Sequence, residues 1–126
     1  MASQQGIREA IGLIRGAASA TLASSAEGQP FASLVTPAPA PDLSPLLWLS
    51  SLSAHTRQLA ADPRCALLFT GTREGPNPQT APRVTVTGLA ERVPEAEAPP
   101  LKARWLARHP YAAPYADFAD FGLWRV

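Results

Sequence analysis

Between residues 46 and 71 the chain reads LLWLSSLSAHTRQLAADPRCALLFTG, two apolar runs flanking a serine-rich turn and a short polar segment. Leu46 to Leu49 is an apolar run containing a Trp, bounded by Pro45 and by Ser50 and Ser51, which predicts a buried strand. Ser53 is an N-cap residue type, so a helix is expected from Ala54 to Ala61 with Leu59 facing inward. Asp62 and Pro63 end it, because proline disfavours helical backbone in the residue before it. Cys65 to Phe69 is a second apolar strand, closed by Gly71. The turn therefore aims a helix start past the end of a strand, with Ser50, Ser51, Ser53, His55 and Thr56 around it. The first N–H groups of a helix lack partners within it, so hydroxyls gathered there form an anion site, above all for phosphate. An ordinary capped connection is the competing reading.

The flanking sequence extends this unit with strands more than helices. Ile7, Ile11 and Ile14 recur at helical spacing between residues 4 and 17, with Ser3 as a cap and Gly16 as a stop. Ala20 to Ser24 and Phe31 to Thr36 are strands around a Glu-Gly turn, a hairpin. Pro37, Pro39, Pro41 and Pro45 mark an irregular loop. Residues 72 to 82 are loop in composition. Arg83 to Arg92 alternates around Val84, Val86 and Leu89 and is expected to be one strand. Gly88 within it suggests a bulge or a close approach. Leu101, Trp105 and Leu106 mark a helix ending at His109, which is expected to be a charge at the helix C-terminus or a surface group. Tyr111 to Ala116 suits another short helix, and Phe121 to Val126 a last strand. About six strands, mostly in neighbouring pairs with short helices inserted, predict a mainly β fold with an antiparallel sheet or small barrel.

Composition bounds the function classes. A chain of 126 residues with 46% hydrophobic and 17% charged residues suits one globular domain spanning 1–126. A net charge of +1 gives no basic footprint for nucleic acid. No apolar run approaches membrane-spanning length. The N-terminal stretch carries Arg8, Glu9 and Arg15 and lacks a signal-peptide core, so a cytoplasmic location is expected. One cysteine and two histidines exclude a disulfide framework and a zinc constellation, and no metal site is expected. No P-loop, no G-x-G-x-x-G and no G-x-S-x-G occurs, and Asp42, Asp62, Asp117 and Asp120 fall at turns or caps. No catalytic acid, base or nucleophile stands out, so any chemistry is expected to come from a cofactor.

Four segments in order carry a resemblance. They are WLSSLSAHTRQL at 48–59, DPRCALLF at 62–69, RVTVTGLAER at 83–92 and HPYAAPYADFADFGLWRV at 109–126. Together with the small-residue second strand of the hairpin, this set resembles the pyridoxamine 5′-phosphate oxidase-like FMN-binding split barrels, and within them the heme-utilisation branch. The resemblance implies a six-stranded antiparallel split β-barrel that forms a homodimer with FMN at the subunit interface. It implies a flavin-dependent oxidoreductase acting with a small-molecule substrate or electron donor. A non-catalytic flavin or heme carrier on the same fold is the alternative.

Carried over by residue, the second strand, with Ser33 and Thr36, runs beside the flavin and its tail. Ser50 and Ser51 flank the flavin at the end of the next strand, and Ser53, His55 and Thr56 take the phosphate. Arg57 adds charge, and Arg83 reaches the flavin from a later strand. Oxidases of the vitamin B6 type carry a basic residue on the second strand, where this chain has Ser33 and Thr36. The implied phosphate site is therefore poorer in fixed positive charge.

Overall fold

The structure, a computed structural model, describes residues 3–126. Helix α1 covers Gln4–Gly16, and the Ser3 hydroxyl caps it by accepting from the Gly6 N–H at 2.9 Å. Strands β1 (Ala20–Ala26) and β2 (Gln29–Val35) form the expected hairpin, with Ala26 opposite Gln29. Glu27 and Gly28 both have positive φ, 51° and 83°, as a two-residue hairpin turn matched to strand twist requires. The remaining elements are β3 (Ala38–Pro39), β4 (Pro45–Ser50), α2 (Ala54–Ala61), β5 (Arg64–Thr70), β6 (Arg83–Leu89), β7 (Glu91–Arg92), α3 (Ala98–Arg108) and β8 (Phe121–Arg125).

The fold is mainly β with short helices, but the described residues form eight strands where six were expected. They form two four-stranded antiparallel sheets, ordered β2-β1-β5-β6 and β3-β4-β8-β7. The additional strands arise where the chain steps from one sheet to the other. Thr36 and Pro37 carry it from β2 into the two-residue β3. Ala90 alone carries it from β6 into β7, so the expected single strand from Arg83 to Arg92 is divided there. Ala90 is buried at the step and donates its N–H to the Pro63 carbonyl at 2.8 Å, outside either ladder. The proline-rich stretch supplies an edge strand, where a missing N–H costs least.

Two apolar clusters form the core. Leu22, Leu47, Leu49, Leu59, Leu67 and Phe69 belong to the first, and Leu46, Val93, Trp105 and Leu123 to the second. Strand β4 serves both, with Leu47 and Leu49 on one face and Leu46 and Trp48 on the other. Burial on both faces explains why its apolar run is continuous and not alternating. Each fully buried large side chain here stabilises the fold by about 1.5–3 kcal/mol. Gly88 lies close to another group, as expected, since a Cβ there would meet Val126 Cγ1 at 3.3 Å.

The C-terminal third departs furthest from expectation. His109 is 2% exposed and not a surface charge. Its Nε2 lies 2.8 Å from the Pro37 carbonyl, and its ring packs on Trp105 with centroids 4.8 Å apart. Of the short helix expected from Tyr111 to Ala116, only Tyr111 and Ala112 are helical, within one 3₁₀ turn at Pro110–Ala112, and mostly turns follow up to β8.

Candidate functional site

At the junction of the two sheets a cavity of about 200 Å³ opens beside the serine-rich turn. Leu34, Val35 and Thr36 form one wall as β2 ends. Trp48, Leu49 and Ser50 of β4 form the next, Ser53 and His55 the lip, and Phe121 of β8 the far side. The order follows from topology, because β4 pairs with β8 so that Ser50 stands opposite Phe121 and Trp48 opposite Leu123. The Trp48 and Phe121 rings are nearly parallel, 11° between planes and 6.5 Å between centroids. Lys102 Nζ sits 5.0 Å from the Trp48 ring centroid, a cation–π contact, and also pairs with Asp117.

The turn is held from the C-terminal side. The Ser50 hydroxyl donates to Asp120 Oδ2 at 2.6 Å and accepts from the Leu52 N–H at 3.1 Å. The Ser51 N–H donates to the Asp120 carbonyl at 2.7 Å. Ser53 occupies the N-cap position of α2 with extended backbone, yet its hydroxyl makes no capping bond, contrary to expectation. The Ser53 N–H instead closes the turn onto the Ser50 carbonyl at 3.1 Å. Burial pushes the half-buried His55 imidazole below its ordinary pKa of 6.5, so it is neutral at pH 7.

Of the residues singled out in the sequence, Thr36, Ser50, Ser53 and His55 meet at this cavity. The others lie elsewhere. Ser33 stands opposite Leu22, with its Oγ buried and unpartnered. Thr56 is 6% exposed, and its Oγ1 is likewise buried without a partner. Ser51 is exposed at the tip of the turn. Arg57 donates to the Leu52 carbonyl at 2.7 Å and lines a separate, wider cleft of about 620 Å³ between the β1–β2 turn and α2. Arg83 donates to the carbonyls of Gln79 and Ala81, at 2.6 and 3.2 Å, beside α1. Among the described residues no Arg or Lys lines the cavity. The wider cleft holds neither an imidazole nor an aromatic ring, so the smaller cavity has the richer chemistry.

Asp120 and Phe121 escaped the sequence reading as site residues. Their repeat, ADFADF, has the composition of a turn. Only the pairing of β8 with β4 brings them to the serine turn.

A model of the pyridoxamine 5′-phosphate oxidase family matches residues 8–126, nearly the whole chain. The chain belongs to the pyridoxamine 5′-phosphate oxidase family. A relative within reach of sequence comparison is the chloroplastic non-canonical heme oxygenase HOZ of Arabidopsis thaliana, 38% identical over 106 residues, which are 84% of this chain and 32% of the plant protein. The heme binding protein from Mycobacterium smegmatis superposes with a TM-score of 0.88 at 31% identity, over 100% of this chain and 52% of that one. The protein Atu2129 from Agrobacterium tumefaciens str. C58, of unknown function, gives a TM-score of 0.90 at 28% identity, over 99% of this chain and 54% of that one. This family member thus spans about a third of the plant relative and about half of each bacterial one. Among the described residues no helix is long and apolar enough to cross a membrane. No group of three or more His, Cys, Asp or Glu among them is arranged to hold a metal ion.

Proposed function

We propose that this chain is a heme-binding member of the pyridoxamine 5′-phosphate oxidase family. One observation carries the reading: the cavity offers a single neutral imidazole, His55, beside an aromatic wall and several hydroxyls, with no cation among its lining residues. A phosphate dianion calls for converging donors and at least one fixed positive charge. A neutral imidazole is the common protein ligand of heme iron. Hydroxyls alone would meet the anionic groups of either ligand, so it is the imidazole that favours heme over FMN. His55 would ligate the iron, Trp48 and Phe121 would meet the macrocycle, and Ser53 and Thr36 would face its carboxylates. His109 is unavailable, because both ring nitrogens are engaged inside the fold. Bound heme supplies an iron centre for redox or oxygen chemistry. The relatives at 38% and 31% identity, a non-canonical heme oxygenase and a heme binding protein, support the same reading.

A cavity of about 200 Å³ encloses only part of such a ligand. A second copy supplies the missing wall in this reading, so the functional unit is a homodimer. The outward face of the first sheet suits that contact. Leu34, Thr21, Leu68 and Thr85 form one cross-strand row on it, and Leu34 and Leu68 are 77% and 38% exposed.

Titration with hemin tests the reading. The protein is expected to bind hemin with a shifted Soret band, and His55→Ala to weaken binding at least roughly tenfold, the scale of ligand-sphere changes at metal sites. Equal binding by His55→Ala, or none by the wild type, overturns it. The second reading is an FMN-dependent oxidoreductase whose small-molecule substrate is undefined. It is favoured by the Ser53 hydroxyl, which lies beside the start of α2 with no capping bond. Tight FMN binding that Ser53→Ala weakens would select it.

A further inference from the structure

The two residues that carry the chain between sheets, Thr36 and Pro37, lie outside both ladders, yet Pro37 is fully buried and Thr36 lines the cavity. Buried carbonyls need partners. Both find them at the C-terminal end of α3. Trp105 Nε1 donates to the Thr36 carbonyl at 2.8 Å, and His109 Nε2 lies 2.8 Å from the Pro37 carbonyl. Trp105 lies in the last turn of α3, and His109, four residues on, is its C-cap, with its N–H donated to the Trp105 carbonyl at 3.0 Å. Trp105 and His109 are 1% and 2% exposed, and their rings pack together.

A carbonyl only accepts, so His109 Nε2 must carry a proton. Its Nδ1 lies 3.1 Å from the Tyr111 hydroxyl, which can donate to it. The ring is thereby held in one orientation from both ends. Neither Trp105 nor His109 lines the cavity.

Resting on the cavity as the binding site, we infer that Trp105 and His109 are positioning residues for it. By holding the carbonyls of Thr36 and Pro37 they set where the Thr36 wall stands, and so how tightly ligand is held. Tyr111 fixes the His109 ring for that task.

Three variants and a control test this in the full chain, titrated with hemin and with FMN and melted in parallel. His109→Leu and Trp105→Phe each leave one corner carbonyl unpartnered, and ligand binding is expected to weaken about tenfold. His109→Gln keeps an amide donor for Pro37 and is expected to restore affinity to within about threefold of wild type. Phe69→Leu, a core change in β5 that does not line the cavity, is expected to lower the melting temperature and leave affinity unchanged. Affinity that follows melting temperature across all four proteins overturns the inference, as does equal binding by wild type and His109→Leu. Wild-type protein that binds neither hemin nor FMN overturns the site reading and this inference together.

Discussion

His55 carries the pH dependence of the proposed site. Burial lowers its pKa from 6.5, so the imidazole is neutral and able to ligate a metal throughout the range above that value. Hemin affinity is expected to be flat above pH 6.5 and to fall as the pH drops through the lower folded-state pKa. His55→Ala should remove that fall, which titrations between pH 8 and 5 would read directly. The same group affects stability with the same sign. The unfolded imidazole takes its proton first, near 6.5, so stability is lost as the pH falls from there toward the folded value. Gly71 makes a second prediction at this scale. A Cβ there would meet the Pro82 ring at 2.7 Å and Leu13 Cδ2 at 3.0 Å, and a proline ring has little freedom to yield. Gly71→Ala is expected to cost about 1–3 kcal/mol in denaturant melts. At Gly122 the clash is with the mobile end of Arg92, so Gly122→Ala should cost less than about 1 kcal/mol.

The two serines at helix starts look alike in sequence and differ in the elements they serve. Ser3 caps α1 through Gly6, so Ser3→Ala is expected to cost about 1 kcal/mol. Ser53 makes no capping bond to α2, so Ser53→Ala should leave thermal stability within about 0.5 kcal/mol of wild type. Element type was legible from local pattern: the hairpin turn, the two-faced apolar run of β4, and α2 stopped by Asp62 and Pro63 all appear where residue chemistry puts them. What local pattern could not reveal is which hydroxyl is engaged. Ser50 is tied to Asp120 by a pairing of distant strands, and no spacing within residues 50–57 encodes that bond. His109 escaped for a similar reason. Its partner is a corner carbonyl that exists only because two sheets meet there.

For the whole molecule, the proposed homodimer predicts a single species of twice the chain mass by light scattering. Leu68→Asp, in the middle of the first sheet's outer face, is expected to give monomers with weakened hemin binding and a retained β-rich circular dichroism spectrum. Tight hemin binding by a monomer would exclude the two-copy site. The mainly β class followed from alternating and apolar runs. The division into two sheets did not, because the buried Ala90 that parts β6 from β7 leaves the pattern from Arg83 to Arg92 uninterrupted, and Pro37 reads in sequence as the start of a loop and not as a step between sheets.

The long-range pairing of β4 also has a consequence for synthesis on the ribosome. The first sheet needs nothing beyond Leu89, so it can assemble before β8 has left the exit tunnel. Strand β4 must wait for its longer partner, since Leu46 pairs with Arg125. Until β8 emerges, a nascent chain presents β4 paired only with the two residues of β3, and the serine turn stays unfastened. The proposed binding site is thus among the last parts of this domain to form. Ligand would be captured once β8 is in place and not before.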